Sequence, residues 1–410
     1  MHKKMDLTRG LVFSTLAAIC LFSNLASADD WPFFRGPNYN GVSAETGWNA
    51  KFGSSPKVAW KKNVGKGASG FVVVGNRAIT MGNRNNEDVV SCFNPDDGSE
   101  LWAFKYPCRF ASRSFEGGTA STPTVDGESV YTLSYDGQIN CIKLSDGKSV
   151  WKKNAVREYS GKPPSWKYAG SPLVMGNLVI FDIGGSGNST LALDKATGKK
   201  VWGSGSEQAG YATPIPFKIG KSRGVLVFKG KQLIALNAAN GQKLWSMDWI
   251  TSYNVNASSP TVTDNQFFVS SGYGGGRGAL FPLTSKLPQP LWTNRGIKTK
   301  MSSCAIYQDH VYGVSEQGGR LMCMSMKKGG QTVWKERGFG GGTMMIAGGK
   351  LVVLSSTGEL VIAEASPAGF KPLSRARVLG GRCWVNPVLA NGRIYCKNNK
   401  GDLVCLDVRK

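Results

Sequence analysis

The sequence predicts an all-β chain: an eight-bladed β-propeller of four-stranded antiparallel blades, closed by pairing of N- and C-terminal strands. Three observations predict it. Tryptophans recur at Trp60, Trp102, Trp151, Trp202, Trp245, Trp292 and Trp334, 42 to 51 residues apart, a period that suits a blade of four short strands. A fixed turn pattern precedes most of them. Alternating apolar residues bounded by Gly, Pro, Asp and Asn fill the remaining chain, and helical periodicity is nowhere sustained.

The first 28 residues read as an export signal. Lys3, Lys4 and Arg9 form a basic start, residues 11–25 are apolar, and Ala26-Ser27-Ala28 gives a small-x-small cleavage pattern. The apolar run is shorter than the ~20 residues of a spanning helix and contains Ser14, Ser23 and Asn24. Ile19 before Cys20 is too large for lipoprotein processing. The chain is therefore expected to be exported, periplasmic or secreted, after cleavage near Ala28, with no membrane span. Residues 29–56 read as an N-terminal extension and residues 57–410 as the propeller.

The turn pattern places a small residue, then Gly six positions later, then Trp ten positions later. Residues 92–102 read CFNPDDGSELW, residues 141–151 CIKLSDGKSVW, residues 192–202 ALDKATGKKVW and residues 235–245 ALNAANGQKLW. Gly98, Gly147, Gly198 and Gly241 supply the positive φ that such hairpin turns need. Two further strands lie upstream, as in Ser121 to Val125 and Ser129 to Leu133 around the Asp126-Gly127 turn. The plan recurs from Ser171, Thr213, Ser259 and Asn386, with looser copies near Gly70, Ser303 and Thr343, which makes eight. The last copy stops one strand short. Val58 to Lys61 has no other partner and is expected to pair with Asp402 to Val408, which removes the free edge.

Composition narrows the function classes. Lys and Arg number 50 against 27 Asp and Glu, a net charge of +23. The charges are scattered and read as a solvated basic surface, which disfavours a nucleic-acid partner and leaves anionic ligands open. Histidine occurs only at His2 and His310, so a His-based triad or His metal site would have to use His310, which reads as a turn entering a strand and not as a catalytic residue. Cys92, Cys141, Cys323 and Cys405 fall at or near the small-residue slot of different repeats, so they read as buried packing residues rather than disulfide partners. A monomer is expected.

Ala192, Asp194, Gly198, Lys199 and Trp202 together resemble the tryptophan-docking motif of pyrroloquinoline-quinone (PQQ) type propellers. The resemblance covers roughly residues 57–410, and residues 31–38, WPFFRGPN, resemble the start of PQQ-repeat proteins of planctomycetes. It implies that the periodic Trp residues and turn glycines dock neighbouring blades. It also implies one of two classes. Quinoprotein dehydrogenases hold PQQ and calcium in a central funnel. BamB-type propellers bind no cofactor and act as scaffolds in outer-membrane protein assembly.

The funnel is expected to be lined by the loops leading into each first strand. These offer Arg109, Arg113, Glu116, Trp166, Lys167, Tyr168, Tyr211, Asn254, Asn256, Lys300, Arg382, Trp384 and Asn386, a basic and aromatic cup suited to a planar or anionic ligand. Glu116 is the one evident carboxylate, and the adjacent-cysteine pair of the alcohol-oxidising class is missing. The residues therefore predict a non-catalytic binding or scaffolding propeller of the bacterial envelope, with an envelope protein partner or an anionic ligand and no cofactor or metal. A PQQ- and calcium-dependent oxidoreductase and a polyanion- or glycan-binding propeller are the alternatives.

Overall fold

The computed structural model describes residues 29–110 and 116–410, so the export signal read in residues 1–28 lies outside the described residues. Eight antiparallel sheets follow one another around a ring. Blade 1 opens with Val72–Val74, blade 2 with Thr124–Asp126, blade 3 with Leu173–Met175 and blade 4 with Ile215–Ile219. Blade 5 opens with Thr261–Val262, blade 6 with Ala305–Tyr307, blade 7 with Thr343–Ala347 and blade 8 with Val388–Ala390. Among the described residues the one α-helix is Ala155–Tyr159, capped by the Asn154 side chain.

Blade 8 is completed as expected. Val58–Asn63 pairs antiparallel with Asp402–Asp407, setting Trp60 opposite Cys405 and Lys61 opposite Val404. Residues 58–63 and the last strand are thereby held in one sheet.

The turn motif produces the inter-blade lock. Gly98, Gly147, Gly198 and Gly241 adopt φ between 69° and 73°, which lets the amide of each reach the carbonyl four residues back and adds a bulge to the strand pair. The bulge sets each Trp opposite the small residue, as in Cys92 with Trp102 and Ala192 with Trp202. The indole then lies on the turn of the next blade. A Cβ on Gly241 would stand 2.5 Å from the Trp202 ring. Each indole Nε1 donates to a carbonyl of that next turn: Trp60 to Pro95, Trp102 to Leu144, Trp151 to Lys195, Trp202 to Ala238, Trp245 to Thr284, Trp292 to Met326 and Trp334 to Ser366, at 2.8–3.1 Å. Six of these indoles are buried, and Trp334 is partly so.

Blade 7 breaks the series, with Ser374 in the Trp slot opposite Ile362. The reason is topological. The turn on which a blade 7 indole would dock belongs to blade 8, where the two chain ends meet instead of a loop, joined by a bond from the Asp407 amide to the Lys57 carbonyl. Residues 48–53 fill the gap. Ser374 Oγ donates to the Ala50 carbonyl and accepts from the Phe52 and Gly53 amides. Trp48 is buried in the core cluster shared by blades 7 and 8, and Phe52 packs against it.

Residues 29–47 cross the end of the ring at which the first strands finish. Trp31 bridges to Val73 of blade 1, and the Pro32 carbonyl accepts from Val125 of blade 2. Tyr39 reaches the Val174 carbonyl of blade 3. Val42–Ser43 adds a parallel strand to blade 7, beside Ile346 and Ala347. Glu45 accepts from the Asn391 and Gly392 amides of blade 8. What the sequence sets apart as an extension is the floor of the central channel.

Candidate functional site

Above that floor the channel opens into a funnel of about 210 Å³. Trp31, Phe34 and Arg35 form its base, Phe71, Met344, Met345 and Val388 its lower wall, and Trp166, Tyr211, Tyr273 and Trp384 its upper part.

Arg35 anchors the base. Its guanidinium is buried and donates to the carbonyls of Asn40, Ser259, Pro260 and Cys304 and to Thr261 Oγ1. These partners tie the N-terminal segment to blades 5 and 6. Burial lowers the Arg35 pKa to about 10, so the group stays charged, with its N–H donors directed at protein oxygens. Gly36 beside it has φ 80° and lies so close to the Trp31 ring that a Cβ would approach within 2.4 Å.

An aromatic wall spans blades 3 to 5 at the mouth. The Trp166 ring meets Tyr211 at 6.1 Å and Tyr253 edge-on at 6.4 Å, and the Trp166 amide donates to the Tyr211 hydroxyl at 3.3 Å. Lys167, Tyr253 and Asn254 all have left-handed backbone, with φ of 67°, 63° and 56°. Such conformations are uncommon for non-glycine residues and collect at functional sites.

Two of the cations beside the funnel, Arg382 and Lys300, face carboxylates. Arg382 Nη1 lies 2.7 Å from Glu116 Oε2, and its guanidinium stacks on Trp384 at 4.9 Å. Lys300 Nζ lies 2.6 Å from Glu316 Oε1 and 5.0 Å from the Tyr273 ring centre.

Of the residues proposed from the sequence, Trp166, Tyr211, Trp384 and Asn386 line the funnel. Glu116, Lys300 and Arg382 stand next to lining residues in the ion pairs just described. Lys167 is half-buried behind Trp166. Arg109 is exposed outside the lining. Asn254 donates to Gln208 Oε1. Asn256 is fully buried, and its Nδ2 donates to the carbonyls of Lys229, Gly230 and Trp249, which braces the loop that carries Tyr253. Tyr168 is buried and donates to the Ile183 carbonyl, and Arg113 lies outside the described residues.

Sequence reasoning missed the floor and the hairpins between second and third strands. Those hairpins open on the same side as the leading loops and contribute Tyr135, Tyr273, Glu316 and Asn399. Strand alternation could have revealed them, because two strands run between a leading loop and such a hairpin. Among the described residues no group of three or more His, Cys, Asp or Glu is arranged to hold a metal ion. The eight described cysteines are buried and unbridged.

Residues 86–336 match the family model described as outer membrane protein assembly factor BamB. The chain belongs to this PQQ-repeat family. It is 24% identical over 263 residues to the outer membrane protein assembly factor BamB of Bordetella pertussis, covering 62% of this chain and 63% of that one. It is 25% identical over 244 residues to a tetrathionate hydrolase of Acidithiobacillus ferrooxidans, covering 59% and 41%. The match thus spans less than two thirds of either curated relative. Among solved structures, BamB from Moraxella catarrhalis superposes with a TM-score of 0.63 at 16% identity, over 86% of this chain and all of that one. The quinohemoprotein alcohol dehydrogenase of Comamonas testosteroni gives 0.68 at 13% identity, over 94% and 81%. At these identities the structural likeness speaks for the fold alone. No helix among the described residues is long and apolar enough to cross a membrane.

Proposed function

We propose that this BamB-family chain is a non-catalytic binding or scaffolding propeller of the bacterial cell envelope. The observation that carries the reading is the charge pairing around the funnel. Glu116 is engaged by Arg382 and Glu316 by Lys300, and among the described residues the lining itself contains no Asp or Glu.

That donor set does not fit PQQ with calcium. Calcium takes six to eight oxygen ligands, with carboxylates prominent, whereas the lining offers neutral oxygens from Asn, Ser, Thr and Tyr. PQQ is a flat tricarboxylate and requires cations, but among the described residues Arg35 is the one cation in the lining and is bonded to protein oxygens. Alcohol oxidation further needs a base within reach of the substrate, and Glu116 is instead held in an ion pair with Arg382. The same pairing argues against an anionic ligand inside the funnel.

A dye-linked assay on purified protein incubated with PQQ, calcium and primary alcohols tests the reading. No turnover above the protein-free control is expected. Sustained turnover that requires PQQ and disappears on Glu116→Gln would overturn it in favour of the oxidoreductase.

A further inference from the structure

The proposal above leaves open what the funnel takes. We infer that it is a binding site for an uncharged, planar aromatic molecule, held against the Trp166–Tyr211 wall. This inference rests on the non-catalytic reading and names the ligand class of the same site.

Charge selects against ions. Among the described residues the lining contains no Asp, Glu or Lys, and Arg35 is committed to five protein oxygens. A charged ligand held against these residues would lose hydration and gain no unpaired counter-charge from them, which is strongly unfavourable. Shape selects against a threaded polymer. Trp31, Phe34 and Arg35 lie across the base of the funnel, which favours an occupant that enters and leaves by the mouth.

Surface chemistry selects a flat apolar body. Aromatic rings line the funnel from Trp31, Phe34 and Phe71 at the base to Trp166, Tyr211 and Trp384 above. Such rings take an aromatic guest in offset or edge-on contact, and Met301, Met344 and Met345 add thioethers that adapt to its outline. Backbone conformation points the same way. Tyr253 is 75% exposed and Trp166 38% exposed, large apolar groups set facing water at the mouth. Tyr253 itself and Lys167, next to Trp166, are left-handed. Left-handed backbone at non-glycine residues carries a conformational cost and collects at functional sites, and here it stands at or beside the two rings at the mouth.

Two fluorescent probes with one ring skeleton test the inference. N-phenyl-1-naphthylamine is uncharged, and 1-anilinonaphthalene-8-sulfonate is the same molecule with one sulfonate. Titrated into the purified protein, the neutral probe is expected to bind saturably at one site, and the sulfonate at least about tenfold more weakly. Trp166→Ala, a change at an exposed loop position, should weaken the neutral probe by about tenfold, and Ala257→Trp, which fills the funnel, should abolish its binding. Glu116→Gln removes the negative partner of Arg382 and should tighten the sulfonate several-fold. Tighter binding of the sulfonate than of the neutral probe to the unmodified protein would overturn the inference, as would neutral-probe binding indifferent to both Trp166→Ala and Ala257→Trp. Either failure removes the ligand class alone. The non-catalytic reading falls only to PQQ-dependent turnover.

Discussion

Trp202 shows how one residue fixes the relation of two blades. Its indole covers Gly241 of the next blade and donates to the Ala238 carbonyl at 3.0 Å. Trp202→Ala removes this surface from a packed interface that cannot collapse around the gap, so a loss of roughly 3–5 kcal/mol in urea unfolding is expected. A buried lysine gives a second prediction. Lys397 is fully buried, and its ammonium donates to the carbonyls of Met81 and Ser69. Burial lowers its pKa from the ordinary 10.5 to about 7. Between those values the unfolded chain holds a proton that the native chain does not, so stability falls as pH is lowered from about 10 toward 7 and this contribution levels off below. Lys397→Met lacks that term. Its stability relative to the unmodified protein should therefore be most favourable near pH 6–7 and become less so by about 2–4 kcal/mol toward pH 10, on top of a pH-independent loss of the two hydrogen bonds; urea unfolding at pH 6, 8 and 10 measures it. The docking indoles were legible in the sequence because their spacing repeats. The partner of Arg382 was not, because Glu116 lies 266 residues away and ring closure alone brings the two loops together.

At the scale of elements, the fourth strand of each blade is an open edge. Edges invite pairing with other chains, and charged side chains discourage it. Exposed basic residues stand on these strands at Lys61, Lys62, Lys105, Lys152, Lys200, Lys243, Lys335 and Arg375, which gives the strongly positive composition a structural purpose. The N-terminal segment is the element that sequence reasoning read least well. Its strand is two residues long and parallel, and the rest is irregular, so no alternation marks its partners. Trp48 to Gly53 occupy the place of an eighth indole. Arg35 is the keystone of this element. Arg35→Ala would strip several buried carbonyls of their donor, and each such loss costs about 1–3 kcal/mol. A loss of about 2–4 kcal/mol in urea unfolding is expected, with faster protease cleavage between residues 29 and 47 than elsewhere.

For the whole molecule, the ring was legible because eight copies of one pattern cannot close unless the split copy is completed by both termini, and Val58–Asn63 on Asp402–Asp407 does this. The funnel was legible as an aromatic cup through Trp166, Tyr211 and Trp384. Its charge was not: counting Arg109, Lys167, Lys300 and Arg382 suggests a basic cup, while Lys300 and Arg382 pair with Glu316 and Glu116, and Arg109 and Lys167 lie outside the lining. Among the described residues, a strongly basic protein of the PQQ-repeat family thus lines its funnel with no carboxylate and with one cation, Arg35, already bonded to protein oxygens. Turnover depends on substrate and dye as well as on cofactor, so binding is the sharper measurement. Purified protein titrated with PQQ in millimolar calcium, followed by quenching of tryptophan fluorescence and by equilibrium dialysis, should show no saturable uptake. Stoichiometric PQQ binding that depends on calcium and is lost on Glu116→Gln would contradict the account.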